Sequence, residues 1–441
     1  MTDALDGLYP AHLAELRRRF DAALAAQGFD AVAIYSGCAW HSFLDDHAYP
    51  FRANPHFKQW VPLTDVQQSF VGYVPGVAPL VCFHQPADYW HKPPAVPTGA
   101  WLREFRLEVL RDPAGARGLL GLEGRRIAFL GEWQPAFADW GFAAVNPAGL
   151  LHQLHYARAV KTQYEIECMR RASLMAARGH VAARDAFLAG ASEFETHLAY
   201  CAAVGQREEE LPYGNIVAFD ENAAVLHYQH LRHERDGPRG SFLIDAGAHF
   251  RGYAADITRT CAAAEGEFAG LIAGMDALQL QLCEAIRSGA DYRDVHLLAH
   301  RLIGGLLADA GIVACSADEA VATGLTSVFF PHGIGHLLGL QVHDVAGLAG
   351  DASGTEIPRP AGHPYLRLTR RLEPGFVVTV EPGLYFIDLL LDEARAGAHG
   401  RRIRWDAVER LRPYGGIRIE DDVVCTTGAP ENLTREAFAG I

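Results

Sequence analysis

No two of the eight cysteines stand in a C-x-x-C arrangement; they are scattered from Cys38 to Cys425. That spacing excludes a thiolate zinc site and argues against a disulfide framework, leaving buried, reduced thiols of the kind found in the cytoplasm. No apolar run reaches the roughly 18 residues of a membrane-spanning helix. The opening stretch MTDALDGLYP is acidic and has no apolar h-region, so a secretory signal is not expected and a cytoplasmic location is. Positive charge is outnumbered, with 39 Lys and Arg against 53 Asp and Glu and a net charge of −14. A nucleic acid or an anionic membrane is therefore not an expected partner. Low-complexity tracts and short tandem repeats are also missing.

What remains is an ordinary globular composition, 49% hydrophobic and 21% charged, over 441 residues. That length suits two or three domains. The first third reads as α/β. Residues 30–37 (DAVAIYSG), 78–84 (APLVCFH) and 125–131 (RRIAFLG) are short apolar runs that predict strands. Residues 11–28 predict an amphipathic helix closed by Gly28. Between them, residues 43–63, rich in aromatics, Pro and His, predict a long ordered loop whose Asp45, Asp46 and His47 brace it.

The character changes near residue 160. Thr162-x-x-Glu165 and Ser192-x-x-Glu195 are capping boxes, each opening a helix. The expected boundary separates an N-terminal domain, 1–158, from a second domain, 159–441. From about residue 212 strands dominate, with helices expected near 267–288 and 292–311.

Residues 329–344 (FFPHGIGHLLGLQVHD) hold three histidines, His332, His336 and His343, on a glycine-rich backbone. Gly333 and Gly335 disfavour a helix, and the absence of a glutamate after the first histidine excludes H-E-x-x-H chemistry. Residues 241–262 (SFLIDAGAHFRGYAADITRTCA) read as two strands joined by a tight turn. With the turn centred between Phe250 and Arg251, Asp245 opposes Asp256, and two carboxylates so close need a cation between them. Glu381 ends the apolar run VVTV, and Glu420 follows Ile419 in an alternating strand. Four such acids and one imidazole would make a five-ligand metal site, with the other two histidines serving a substrate.

The segments DAGAHFRGYAAD, HGIGH, VEPG and IRIEDD, in that order and spacing, resemble the pita-bread metallopeptidases. That group includes methionine aminopeptidase, aminopeptidase P and prolidase, with creatinase as a metal-free relative. The N-terminal third, with FLDDHAYPF and ADYWH, is similar to the bacterial Xaa-Pro dipeptidase branch. The resemblance implies an α+β chain, in which a C-terminal pita-bread catalytic domain follows an α/β N-terminal domain with a mixed sheet. The N-terminal domain would mediate dimerisation and cap the cleft, making the protein a homodimer.

By the same resemblance, Asp245, Asp256, His336, Glu381 and Glu420 hold two divalent ions. Manganese is expected, with Co²⁺, Zn²⁺ or Fe²⁺ as alternatives. Glu381 is the general base, His343 donates to the oxyanion, and His332 and His227 line the substrate's proline end. Arg370 is expected to hold the substrate carboxylate, with Arg367 and Arg371 close enough in sequence to compete for the role and Arg418 shared between substrate and metal ligands. The implied reaction is hydrolysis of Xaa-Pro dipeptides with a trans-proline at the C-terminal position, with organophosphate triesters as a side activity. Aminopeptidase P action on longer peptides is the alternative, and a non-catalytic peptide-binding module a further one. The segment 347–370, between the histidines and Glu381, favours the dipeptidase as a cap that supplies an arginine.

Overall fold

The computed structural model describes residues 4–235, 237 and 239–441. The first three residues of the acidic opening stretch lie outside the described residues. The chain divides into two compact units. One contains Met1–Arg158, Thr162–Cys168 and Asp351–Thr355; the other contains Ala159–Lys161, Met169–Gly350 and Glu356–Ile441. Among the described residues no helix is long and apolar enough to cross a membrane.

The first unit is built on a six-stranded sheet in the order β4-β3-β2-β1-β5-β6. Its strands are β1 (Ala31–Tyr35), β2 (Phe70–Tyr73), β3 (Leu80–His84), β4 (Arg106–Leu110), β5 (Ile127–Leu130) and β6 (Ala144–Val145). The sheet is mixed: β1 runs antiparallel to β2 and parallel to β5. β1 and β5 are buried along their whole length, which is why they read as continuous apolar runs. β4 is an edge strand with exposed Arg106 and Val109, and its sequence carries no such run.

The first helix of this unit spans Ala4–Gln27 and ends at Gly28 in the left-handed region (φ 68). Within residues 43–63 a short helix, Pro55–Trp60, interrupts the expected loop. Asn54 caps it by accepting from the His56 amide, and Pro55 takes the first turn, where its missing N–H costs nothing.

Both expected capping boxes are formed. The Thr162 amide donates to Glu165 Oε2 at 2.8 Å, and the Ser192 amide donates to Glu195 Oε2 at 2.8 Å. They open the helices Gln163–Leu188 and Glu193–Val204.

In the second unit β7 (Ile216–Phe219), β8 (Ser241–Asp245) and β11 (Thr258–Ala262) form one antiparallel sheet, with β8 central. β9 (His249–Phe250) and β10 (Tyr253–Ala254) continue the hairpin between β8 and β11. β12 (Val377–Val380) pairs with β15 (Asp421–Val424), and β13 (Gly383–Tyr385) with β14 (Gly416–Arg418). Single bridges link Thr258 to Glu420 and Leu337 to Val378. The helices Glu267–Glu284 and Tyr292–Asp309 share the unit's largest apolar core with β12, β13 and β14, through residues such as Met275, Leu282, Ile303, Val378, Leu384 and Ile417.

The hairpin register differs from the expected one. Asp245 faces Thr258, and Tyr253 faces Phe250, so the turn centres between Arg251 and Gly252 rather than one residue earlier. Both turn residues have positive φ, 50 and 87, as a two-residue hairpin turn requires. Because the partner shifts by two positions, Asp256 keeps the same face parity as Thr258. It stands diagonally, not directly, across from Asp245.

Candidate metal centre

Each of the four acids stands at the end of a strand or just beyond it. Asp245 closes β8, Asp256 precedes β11, Glu381 follows β12 and Glu420 precedes β15. Apolar strand residues anchor each backbone, and the four terminal carboxylates are close enough to act on one another. His336 is held on the adjoining segment, where the Thr379 amide donates to the His336 carbonyl at 3.0 Å. That approach requires Gly335, whose φ is 154 and where a Cβ would run into the Thr379 carbonyl and the Tyr292 hydroxyl. As expected from its glycines, the histidine segment is not helical.

One ligand atom each from Asp256, His336 and Glu420 lie within 4.8 Å of one another, and all three residues are buried. His336 Nδ1–H donates to the Leu337 carbonyl at 3.0 Å, which turns Nε2 toward the acids. Nε2 stands 3.5 Å from Asp256 Oδ2 and 3.6 Å from Glu381 Oε1. One imidazole nitrogen and two carboxylates so disposed suit a shared cation. Asp245 Oδ1 is buried with no hydrogen-bond partner, whereas Oδ2 accepts from Arg418 Nη2 at 2.7 Å.

The electrostatics agree. Burial pushes Glu420 well above the usual carboxylate range, reinforced by Asp256, Glu381 and Asp245. Burial also raises Asp245, against the pull of Arg418, and brings Glu381 up to about 7. For Asp256 burial works upward, but His336 and Tyr213 hold it below its ordinary value. Burial pulls His336 down, and the neighbouring Asp256 and Glu381 outweigh it and raise it. Acids crowded until their charge is disfavoured are what a divalent ion would relieve. The donor set of carboxylates and one imidazole fits such an ion.

The supporting groups were not foreseen in the sequence. Tyr213 donates to Asp256 Oδ1 at 2.5 Å, and Thr258 donates to Glu420 Oε2 at 2.7 Å. Asp422, itself raised well above its usual range by burial, accepts the Asp256 amide at 3.1 Å. Tyr385 OH contacts both His332 Nε2 and Arg418 Nη1 at 2.9 Å. Single tyrosines and threonines carry no spacing signature, so only the folded register reveals them.

The other two histidines stand beside the cluster. The His336 and His343 rings meet edge to face with centroids 4.5 Å apart. His332 Nδ1 is 3.6 Å from Glu381 Oε2. Burial, helped by Arg418, brings His332 down to about 3. Burial and then His336 bring His343 to about 4, so both are neutral at pH 7. A buried ion pair, Lys161 Nζ to Asp344 Oδ2 at 2.9 Å, fixes the residue after His343. His227 is exposed, and its field reaches both His332 and His343.

Both arginines already have protein partners. Arg418 is buried, bonded to Asp245, to Tyr385 and, through Nε at 3.2 Å, to Thr258. Arg370 is 2% exposed, donates to Glu373 Oε1 at 3.0 Å and stacks over Phe376. Three residues earlier Arg367 is exposed, and its charge acts on His343.

Comparison with known proteins extends the geometry. Residues 7–156 match the family described as Xaa-Pro dipeptidase, N-terminal domain, and residues 167–427 match metallopeptidase family M24. A Xaa-Pro dipeptidase of Stenotrophomonas maltophilia strain K279a is 53% identical over 433 residues, covering 98% of this chain and 97% of its own. One from Xanthomonas campestris pv. campestris strain B100 is 53% identical over 437 residues, covering 99% of each. Among solved structures, the Pseudomonas aeruginosa aminopeptidase PepP superposes with a TM-score of 0.69 at 25% identity, covering 97% of this chain and 98% of its own. Aminopeptidase P from E. coli in its low-pH form gives a TM-score of 0.71 at 24% identity, covering 97% of each chain. With strand-end acids converging on His336 and both halves of the chain matched, the chain belongs to the M24 metallopeptidases of the pita-bread fold, in their bacterial Xaa-Pro dipeptidase (prolidase) branch.

Proposed function

We propose that the protein hydrolyses Xaa-Pro dipeptides bearing a C-terminal trans-proline, using two divalent ions held by Asp245, Asp256, His336, Glu381 and Glu420. The observation that carries the metal reading is His336 Nε2 set between Asp256 and Glu381, beside the partnerless Asp245 Oδ1. Asp256 and Glu420 would be the ligands shared by the two ions. When bound, such ions supply Lewis acidity at the scissile carbonyl and lower the pKa of a water.

Glu381, brought by burial to about 7, takes the proton from the attacking water and returns it to the leaving imino nitrogen. His343, neutral beside His336, donates to the oxyanion. His332 accepts from Tyr385, since its Nδ1–H donates to the Gly333 carbonyl at 2.8 Å. Its ring, with His227, borders the proline end of the substrate. Manganese is the proposed ion, because four carboxylates and one imidazole form a predominantly oxygen donor set.

Dipeptide selectivity rests on the family relationship and on a cation placed for the substrate carboxylate. Arg367 is the candidate, being exposed and close enough to act on His343. Arg367→Ala should raise KM for Ala-Pro about 10–100-fold, the worth of one charge-assisted contact, with bound metal unchanged. Arg370→Ala should lower the melting temperature and leave KM within a fewfold. Reversed phenotypes would return the role to Arg370.

The deciding assay compares Ala-Pro with Ala-Pro-Ala on Mn²⁺-loaded protein, with chelated protein as blank. Cleavage of Ala-Pro alone supports the dipeptidase. Comparable cleavage of the tripeptide moves the assignment to aminopeptidase P, the activity named for the structural neighbours.

A homodimer in the cytoplasm completes the proposal. All eight cysteines are free, as a reducing compartment keeps them. In the first unit Trp40, Phe43, Leu44, Tyr89 and Trp90 are 56–90% exposed, and large apolar side chains left in solvent support a contact with a second copy. Light scattering should give twice the chain mass for the wild type and a smaller mass for Phe43→Glu/Leu44→Glu. A monomeric wild type at micromolar concentration rejects the dimer.

A further inference from the structure

A second cluster of histidines stands apart from the five ligands. His296 and His300 lie four residues apart, on one face of the helix Tyr292–Asp309, and both are 1% exposed. His363, half-buried, comes to them from the long segment between the catalytic histidines and β12. The ring centroids form a nearly equilateral triangle: 4.7 Å for His296–His300, 4.6 Å for His296–His363 and 4.5 Å for His300–His363. One nitrogen from each ring lies within 4.8 Å of the other two.

The hydrogen bonding leaves a ring nitrogen unused. His300 Nδ1 bonds Thr326 Oγ1 at 2.8 Å, and its Nε2 is buried without a partner. This is the arrangement by which an outer hydroxyl fixes a ring so that the opposite nitrogen can ligate. His296 Nε2 and His363 Nδ1 are 3.0 Å apart. Two imidazole nitrogens on one tetrahedral zinc ion, at bond lengths of about 2.0–2.1 Å, lie about 3.3 Å apart, so a small adjustment suffices. Burial first, then the neighbouring histidines, brings His296 to about 2 and His300 to about 3, and burial lowers His363. All three are therefore neutral at pH 7, the form that binds metal.

The Phe330 ring sits between this cluster and the catalytic one, 5.0 Å from His300 and 4.7 Å from His332. The donor sets also differ. Three imidazoles favour zinc-class ions, while carboxylates tolerate manganese.

We propose that His296, His300 and His363 form a third metal site that takes Zn²⁺, or Co²⁺ in its place, through three imidazole nitrogens, a water completing the tetrahedron. The ion fastens the segment 356–370 to the helix Tyr292–Asp309. Its mechanical consequence reaches the catalytic cleft, because the same segment rests on Gly333, where a Cβ would meet Leu366 Cα at 2.9 Å. Gly333 adjoins His332, and Arg367 follows Leu366 directly. A clamp at His363 thus steadies both sides of the substrate's proline end.

The test uses the full chain, stripped with chelator, saturated with Mn²⁺, titrated with Zn²⁺ and freed of unbound metal by gel filtration. Total metal per chain is then counted for the wild type and for His363→Asn. The wild type should retain one ion more than the variant, whatever number the catalytic centre holds, so this difference stands apart from the dipeptidase reading. Zn²⁺ should also slow proteolysis within 356–370 in the wild type only, which guards against a variant that has lost its fold. Equal metal counts in both chains, with Zn²⁺ leaving proteolysis unchanged, would mean that the three histidines are only a hydrogen-bonded core cluster and would overturn the proposal.

Discussion

Glu381→Gln lowers kcat for Ala-Pro by about 10³-fold, within the range that a positioned proton carrier contributes. Glutamine keeps the size and one oxygen donor of the side chain but cannot take a proton from water. The backbone position should survive the change, because the Glu381 amide donates to the Ile334 carbonyl at 2.9 Å independently of the side chain. Burial brings the carboxyl to about 7, so in the chelated protein its charge is a burden at pH 8. Chelated Glu381→Gln should therefore melt at or above the temperature of chelated wild type, while metal-loaded variant activity collapses. Activity within tenfold of wild type, at equal metal content, would remove Glu381 from the proton path.

The chelated wild type loses stability as pH rises from 5.5 to 8.5. Asp245, Glu381 and Glu420 all titrate above their ordinary values, chiefly through burial. A group raised on folding stabilises the chain below its unfolded pKa, and that contribution disappears as pH climbs through the folded value. His336 is raised and acts in the same direction. Asp256 is lowered, and its opposite contribution is confined to acid below the window. For Glu381 alone, the rise from 4.5 to about 7 is worth on the order of 3 kcal/mol once it is fully ionised. Melting curves of the chelated chain should shift down by several degrees across the window, and less so in Glu420→Gln. A flat profile in the wild type would mean that the acids are solvated in the metal-free chain.

The ligands were legible because each breaks a local rule. Asp245 after Phe-Leu-Ile, and Glu381 after Val-Val-Thr-Val, put charge where an apolar strand predicts burial, and four such breaks accompany one glycine-rich histidine segment. The hairpin register was not legible, because Phe-Arg-Gly-Tyr offers two turn centres one residue apart. Arg251 adopts positive φ without the Asn or Asp that normally signals it.

The outward-facing arginine, Arg367, was recoverable in principle. Along Leu366-Arg367-Leu368 burial alternates, and a period of two points Arg367 outward. Arg370 falls among buried residues, where a neighbouring acid and an aromatic ring absorb its charge. β2 and β4 escaped notice for opposite reasons: β2 carries Gly72 at its centre, and β4 has charged residues along a sheet edge. The Pro55–Trp60 helix did carry its signal, Asn before Pro, hidden within an aromatic-rich stretch.

The five proposed ligands come from the ends of four different strands and one loop, and 175 residues separate Asp245 from Glu420 (420 − 245). No two adjacent elements hold enough of them to retain an ion alone. During synthesis the cell's metal pool therefore finds no partial cage on the emerging chain, and loading waits until β15 has docked beside β12. Uptake of a divalent metal would then be a clock for the final closure of the catalytic unit: its appearance in a refolding experiment would mark the moment when the last strand is in register.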